Sequence, residues 1–163
     1  MNHAYQAAVV IAALGLTIAT PGIVTAKEFL AYVGTYTGEK SKGIYVFRFD
    51  AASGKAGDVS LAVETKSPSF LAVHPNNKYL YAVGETDRTG EKPGGAVTAF
   101  SIDRESGKLS KLSQASSRGA GPCHLVVDRT GKCVLVANYG GGSVAALPID
   151  EEGRVGEATA FMQ

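Results

Sequence analysis

Three polar side chains of this 163-residue sequence, those of His124, Asn138 and Glu85, could together support the attack of water on a carbonyl carbon. A neutral imidazole such as that of His124 can act as a general base toward water. The amide N–H groups of Asn138 could stabilise the oxyanion that forms on the carbonyl oxygen. Glu85 could orient this pair or serve as an alternative base. The three histidines are scattered along the chain and predict no metal site.

Each of these residues also has a structural interpretation. A histidine that starts an inner strand can simply hydrogen-bond a neighbouring unit of the fold, and an asparagine just before glycines can shape a turn. Cys123 does not provide His124 with a thiol nucleophile, because successive strand residues point to opposite faces. Gly140–Gly142 precede neither a Lys-Ser/Thr pair nor a helix, so they do not form a phosphate loop. We therefore predict no cofactor.

The segments that carry these residues are predicted to be short β-strands. Short apolar runs alternate with turns rich in glycine, which occurs 20 times, and helical periodicity is hard to find after Ala26. The clearest stretch contains three predicted strands, His124 to Asp128, Cys133 to Tyr139 and Ser143 to Ile149. The turn between the first two strands would hold Cys123 and Cys133 roughly 13 Å apart, too far for a disulfide. The pattern predicts an all-β fold.

The strand pattern is repeated along the chain. The stretch SPSFLAVH at residues 67–74 aligns with GPCHLVVD at 121–128, and AVTAFSID at 96–103 aligns with SVAALPID at 143–150; an earlier, partial copy covers 29–50. Units of about 50 residues with four antiparallel strands are typical of β-propeller blades. A β-sandwich also has short strands with regular turns but does not explain tandem repetition. We therefore predict a partial propeller of about 2.5 blades.

Three stretches resemble the seven-bladed β-propeller lactonases, a family that includes 6-phosphogluconolactonases. They are GTYTGEKSKGIYVFRFD, SPSFLAVHPNNKYLYAVGE and GPCHLVVDRTGKCVLVANYGGGSVAALPID. The resemblance implies hydrolysis of a small sugar-type lactone without a cofactor. It also implies that residues 27–163 are the N-terminal, truncated part of such a domain, since seven blades at this repeat length need on the order of 330 residues.

A partial propeller would leave the apolar faces of its end blades uncovered. Such faces favour association, so we expect the isolated chain to self-associate and to be inactive. The alternative function, from a different class, is a non-catalytic exported propeller that presents its loops to a ligand or a protein partner.

The strand order within a blade predicts which residues share one rim. The start of the first strand, the end of the second strand and the loop that follows it lie on the same side of a four-stranded antiparallel sheet. Propellers usually bind small molecules at one mouth of the central channel. We therefore predict His124, Glu85 and Asn138 as catalytic, and we predict four substrate-binding residues: Tyr139, Tyr36, Arg88 and Arg118.

The first 26 residues are predicted to be an export signal. The apolar run AAVVIAALGLTIAT is short for a spanning helix, and Val24 and Ala26 stand at positions −3 and −1 of a cleavage site. The mature protein is expected in the periplasm or the medium, and not in a membrane. Its formal net charge of +1, with interspersed signs, predicts no binding to nucleic acid.

Overall fold

A computed structural model describes residues 28–89 and 92–163 of this chain, together with the two-residue strand Leu14–Gly15. The regular elements in this part are all β-strands, which confirms the all-β prediction. No helix among the described residues is long and apolar enough to cross a membrane. Apart from Leu14–Gly15, the predicted export signal of residues 1–26 lies outside the described residues.

Three antiparallel sheets follow one another along the chain, and each corresponds to one predicted blade. Blade 1 contains β1 (Leu14–Gly15), β2 (Glu28–Val33), β3 (Gly43–Asp50), β4 (Lys55–Ala56) and β5 (Ser60–Glu64). Blade 2 contains β6 (Leu71–Val73), β7 (Tyr79–Gly84), β10 (Ala96–Ile102) and β11 (Leu109–Ser116), with a hairpin of β8 (Arg88–Thr89) and β9 (Lys92–Pro93) between β7 and β10. Blade 3 contains β12 (Pro122–Val127), β13 (Cys133–Asn138), β14 (Ser143–Pro148) and β15 (Ala160–Met162).

Blade 1 has more strands than the partial copy in the sequence indicated. The strand β5 pairs with β3 on the outer side of the sheet. On the inner side, Leu14 and Gly15 pair with Leu30 and Phe29 of β2. The strand β5 turns the predicted half-blade into a sheet of its own, so the described residues form three sheets, and the four-stranded antiparallel architecture is as predicted. Leu14–Gly15 lies within the predicted export signal, so removal of that signal would also remove β1.

The turn after the third strand of each blade has the same design. The N–H of Gly54 donates to the carbonyl oxygen of Asp50, and Gly107 and Gly153 make the corresponding bonds in blades 2 and 3. The φ angles of the three glycines are +72°, +73° and +79°, a conformation that favours glycine. The turn therefore reverses the chain at an equivalent place in every blade.

The hydrophobic core lies between the sheets. The first seam, between blades 1 and 2, brings Tyr32, Ile44 and Val46 against residues such as Leu80 and Phe100. The second seam joins blades 2 and 3 through Tyr81, Val97, Ala99, Ala115, Leu125, Val134, Val136, Ala145 and Leu147. We call the face of a blade that is turned to the next blade in the chain its front, and the opposite face its back. The alternating side chains of each strand divide between these two faces.

A buried tyrosine crosses each seam from the front of one blade to the turn of the next. The hydroxyl of Tyr32 donates to the carbonyl of Gly107 at 3.0 Å, and Tyr81 donates to Gly153 at 3.0 Å. Both tyrosines are fully buried. Burial raises the pKa of the Tyr32 phenol to about 12, and burial also raises the pKa of the Tyr81 phenol. The phenols therefore stay protonated and act as donors.

Candidate active site at the blade rim

A carboxylate at the first seam connects two blades. The hydroxyl of Tyr36, which follows β2, donates to Oε2 of Glu85 at 2.9 Å. The hydroxyl of Ser69, which precedes β6, donates to the same oxygen. Glu85 itself follows β7, and its backbone N–H donates to the carbonyl of Ser67 at 3.0 Å. The structure thus brings together two of the residues predicted from the sequence, Tyr36 and Glu85.

We call Glu85, Tyr36 and Ser69 the rim cluster. The sequence analysis did not select Ser69. Ser69 occupies the place of Cys123 in the repeat, and this equivalence was the available signal. Burial raises the pKa of the Tyr36 phenol, and the hydrogen bond to Glu85 and its negative charge raise it further. The phenol of Tyr36 therefore remains a hydrogen-bond donor to Glu85.

His124 lies on β12, on the side of the sheet away from the core residue Leu125. Its exposed imidazole contacts the ring of Phe70, with 4.2 Å between the ring centroids and an interplanar angle of 47°. Phe70 and His124 occupy equivalent places in their blades, so the contact crosses the second seam. In the part of the chain that the structure describes, no hydrogen bond joins His124 to Glu85. The imidazole remains accessible to a small molecule.

Asn138 is buried, with 1% of its surface exposed. Its Nδ2 donates to the carbonyl of Ser117 at 3.1 Å and to the hydroxyl of Ser143 at 3.2 Å. Its Oδ1 has no partner among the described residues. Both amide hydrogens are thus used inside the chain, which favours the structural interpretation of a turn-shaping residue. Its catalytic role stays a prediction.

The predicted substrate-binding residues are spread over the rim and the adjacent loops. Tyr139 is 86% exposed and occupies the place in blade 3 that Tyr36 has in blade 1. Arg118 holds its guanidinium 4.9 Å from the centre of the Phe161 ring, on the last strand of blade 3. Arg88 begins the hairpin of blade 2. The described contacts of Arg118 do not join it to the Tyr36–Glu85 pair.

The described residues hold no group of three or more His, Cys, Asp or Glu side chains that could bind a metal ion. Both cysteines are free thiols, and burial together with the nearby charge of Asp128 raises the pKa of Cys133. The polar groups assembled at the rim are therefore one carboxylate, the hydroxyls around it and an accessible imidazole. These groups can transfer a proton and donate hydrogen bonds to a carbonyl compound.

Comparison with known proteins extends the resemblance found in the sequence. The 6-phosphogluconolactonase of Bacillus subtilis is 36% identical over 126 residues, which cover 77% of this chain and 35% of the relative. The 6-phosphogluconolactonase of Formosa agariphila is 34% identical over 131 residues, which cover 80% of this chain and 36% of the relative. This chain therefore spans little more than a third of the length of these curated relatives.

A solved structure shows the same fold. The periplasmic gluconolactonase of Pseudomonas aeruginosa superposes with a TM-score of 0.73 at 33% identity, covering 82% of this chain and 38% of that chain. The family model described as a seven-bladed β-propeller lactonase matches residues 30–163, the greater part of the sequence. The repeated four-stranded sheets and this match lead to one conclusion: the chain belongs to the seven-bladed β-propeller lactonase family.

Proposed function

We propose that these three blades are the N-terminal part of a lactone hydrolase that opens a small sugar-type lactone, as a 6-phosphogluconolactonase does. The observation that carries the proposal is the carboxylate of Glu85, held at the first seam by the hydroxyls of Tyr36 and Ser69. Family membership supports the reaction class. The position of Glu85 at the rim supports its choice as the site of the reaction, because propellers bind small molecules where loops meet at one mouth of the ring.

In the proposed reaction, Glu85 takes a proton from water, and the resulting hydroxide adds to the carbonyl carbon of the lactone. The oxyanion that forms needs a hydrogen-bond donor, and the O–H of Tyr36 is available if the substrate oxygen replaces Glu85 as its acceptor. The tetrahedral intermediate then collapses, and the ring C–O bond breaks. The leaving alkoxide receives the proton that Glu85 accepted, which regenerates the carboxylate.

His124 and Asn138 remain in the proposal as the second base and the second donor. The exposed imidazole of His124 can reach water without any rearrangement. Asn138 would first have to release Ser117 or Ser143, because it donates both of its amide hydrogens to them. Tyr36, Tyr139, Arg88 and Arg118 are proposed to contact the substrate.

The proposed setting is outside the cytoplasm. The predicted signal of residues 1–26 supports export, and the solved structure from Pseudomonas aeruginosa is of a periplasmic gluconolactonase. An exported enzyme would meet unphosphorylated sugar lactones rather than cytoplasmic sugar phosphates. We propose no nucleic-acid partner and no membrane attachment after removal of the signal. The isolated chain is proposed to be inactive and to self-associate through its open blade faces.

The alternative function, a non-catalytic propeller that binds a ligand or a protein, is favoured by the internal use of the Asn138 donors. The discriminating measurement is lactone hydrolysis by a seven-bladed protein that contains these blades, compared with its Glu85→Gln and His124→Ala variants. Loss of activity in Glu85→Gln of about a hundredfold or more supports the proposed base. A seven-bladed protein that binds sugar lactones without hydrolysing them would establish the alternative.

A further inference from the structure

A three-residue segment holds Glu85 by both its backbone and its side chain. The segment is Ser67-Pro68-Ser69, which we call the rim strap. The carbonyl of Ser67 accepts the backbone N–H of Glu85 at 3.0 Å, and the hydroxyl of Ser69 donates to Oε2 of the Glu85 carboxylate. The Ser67 carbonyl also accepts the N–H of Ser69 at 2.9 Å, which fixes the two ends of the strap relative to each other. The position of the strap therefore determines where the carboxylate lies.

Blade 1 holds the rim strap in place. The N–H of Ser67 donates to Oγ1 of Thr37 at 3.2 Å, and the hydroxyl oxygens of these two residues lie 3.4 Å apart. The strap also lies directly on Gly34, because a Cβ added there would be 2.0 Å from the carbonyl oxygen of Pro68. Thr37 immediately follows Tyr36, the donor to Glu85. Blade 1 thus supplies a hydrogen bond to the carboxylate and also anchors the segment that holds it.

The backbone of Ser67 has a conformation that a serine rarely adopts. Its φ angle is +43°, whereas a residue before proline is normally extended. Gly121 occupies the equivalent place in blade 3, where φ is +59° and the carbonyl accepts the N–H of Tyr139 at 2.9 Å. Glycine thus meets the same backbone requirement without strain in the blade that has Tyr139 in the place of Glu85.

The two seams also differ in what anchors this segment. In the second seam the N–H of Gly121 donates to the backbone carbonyl of Thr86 at 3.2 Å, so the contact does not depend on a side chain. In the first seam the acceptor is the side-chain hydroxyl of Thr37. Strained backbone persists only where the surrounding structure holds it, and it clusters at functional sites. The strained serine and its side-chain anchor occur at the seam that carries Glu85.

We propose that Thr37 and Ser67 are positioning residues that hold the Glu85 carboxylate where it can take a proton from water. The proposal rests on the proposed function of Glu85 as the base. Thr37 acts through Ser67, and Ser67 acts through its backbone bond to Glu85. A base must lie within hydrogen-bond reach of the proton it takes, and a displacement of about 1 Å can cost about a hundredfold in rate. Because the strap holds the base, the loss is expected in kcat rather than in KM.

Steady-state kinetics of a seven-bladed protein that contains these blades tests the proposal. Thr37→Val removes the acceptor for the Ser67 N–H and keeps the shape of the side chain. We expect it to lower kcat roughly tenfold or more and to change KM less than about twofold. Thr37→Ser keeps the hydroxyl and should retain most of the parent kcat. Ser67→Gly relieves the strained φ, so it should lower kcat without lowering the denaturation midpoint.

Thr98→Val is the matched control for Thr37→Val. Thr98 is 2% exposed, lies within the sheet of blade 2 and accepts a hydrogen bond from Nε2 of Gln114 at 3.0 Å. The substitution therefore removes a buried threonine acceptor that has no described contact with the rim strap. It should lower the denaturation midpoint and leave kcat per folded molecule unchanged.

The pKa of the Tyr36 phenol provides a measurement that does not depend on lactone hydrolysis. Burial raises this pKa, and the hydrogen bond to Glu85 and its charge raise it further, so the phenol reports where the carboxylate lies. Titration of the ring ¹³C signal, assigned with Tyr36→Phe, measures it. We expect Thr37→Val and Ser67→Gly to lower the pKa of Tyr36 toward its ordinary value, and Thr98→Val to leave it unchanged. A parent protein without lactonase activity would refute the proposed function, whereas this titration would still test the strap.

Four results would overturn the proposal. An unchanged pKa of Tyr36 in both Thr37→Val and Ser67→Gly would mean that the strap does not position Glu85. An unchanged kcat of these two variants in an active protein would have the same meaning. A loss of kcat in Thr98→Val equal to that in Thr37→Val would assign the loss to general destabilisation. A Thr37→Ser variant as slow as Thr37→Val would show that the hydroxyl is not the anchor.

Discussion

The Nε2 atom of His74 lies 3.0 Å from the carbonyl oxygen of Gly131, which ties blade 2 to a turn of blade 3. The backbone N–H of Asn76 donates to Nδ1 of the same ring at 3.1 Å, so Nδ1 is unprotonated and Nε2 carries the hydrogen. A Cβ at Gly131, where φ is +72°, would lie 2.3 Å from Nε2. The contact therefore uses the Nε2–H tautomer of His74 on one blade and a glycine on the next.

We expect His74→Ala to lower the free energy of unfolding by about 1–2 kcal/mol, because it removes the donor to Gly131 and the acceptor for Asn76. Urea unfolding at concentrations where the chain is monomeric measures this change. The matched control is His124→Ala, since His124 is exposed and is expected to cost less. Equal losses in the two variants would show that the bond to Gly131 contributes nothing to stability.

The buried tyrosines are expected to matter more than an exposed tyrosine. Tyr32→Phe and Tyr81→Phe each leave a turn carbonyl without its buried donor, which should cost about 1–2 kcal/mol of unfolding free energy. Tyr139→Phe makes the same chemical change at a side chain that is 86% exposed and should be nearly neutral. Denaturant midpoints of the three variants provide the comparison. Neutral substitutions at both buried positions would contradict the role of these bonds in the seams.

The carboxylate of Asp128 should make folding sensitive to acid. The hydroxyl of Thr130 and the backbone N–H groups of Thr130, Cys133 and Lys132 donate to it and lower its pKa from 3.8 to about 2. A lowered pKa in the folded state means that this stabilisation is complete above about pH 4 and is lost as the pH falls toward 2. Hydrogen bonds lower the pKa values of the Asp50 and Asp103 carboxyls too. The pH dependence of the wild-type stability therefore sums the contributions of all three carboxylates.

Unfolding measured between pH 5 and pH 2 isolates the contribution of Asp128. Asp128→Asn should make the stability fall less steeply over this interval, because the side chain no longer binds a proton on unfolding. Asp58→Asn, at an exposed position, is the control and should leave the slope as it is in the wild type. An unchanged slope in Asp128→Asn would mean that its hydrogen bonds do not favour the charged form.

The rim cluster predicts a graded loss of lactonase activity in a seven-bladed protein that contains these blades. Glu85→Gln should reduce kcat about a hundredfold or more if the carboxylate is the base. Tyr36→Phe should reduce kcat less, because other donors on the rim can partly replace its hydroxyl. Tyr45→Phe is the matched control, since Tyr45 follows the start of β3 and accepts a bond from the backbone of Lys42. Equal losses in both tyrosine variants would remove Tyr36 from the site.

Substitution of Asn138 distinguishes a structural role of this residue from a catalytic role. Asn138→Ala removes two described donors from a buried position, so we expect a loss of about 1–3 kcal/mol of unfolding free energy. If the residue only shapes the turn, kcat per folded molecule should stay within about threefold of the parent protein, well short of the loss expected for an oxyanion donor. A fall of a hundredfold or more in kcat with little loss of stability would instead establish Asn138 as an oxyanion donor.

Local signals in the sequence were sufficient to predict the blades. The turns from Asp50 to Gly54, Asp103 to Gly107 and Asp150 to Gly153 depend on nearby residues and on one glycine with positive φ, so they can be recognised without any tertiary structure. The strands between them follow from the alternation of apolar residues. Strand order within a sheet then places Tyr36 and Glu85 on the same rim. The sequence by itself therefore determined the all-β fold, the four-stranded repeat and the side of the blade that carries the candidate site.

Only the tertiary structure decided which rim residues touch one another. Tyr36, Ser69 and Glu85 come from two blades, and their convergence depends on how one sheet is rotated and shifted against the next. The same packing buries Asn138 and leaves His124 exposed, although both were selected by the same reasoning. Contacts across a seam depend on the summed packing of many side chains distant in sequence, and no local pattern specifies that sum. For this reason the sequence located the rim, and the packing of the blades selected the contacts within it.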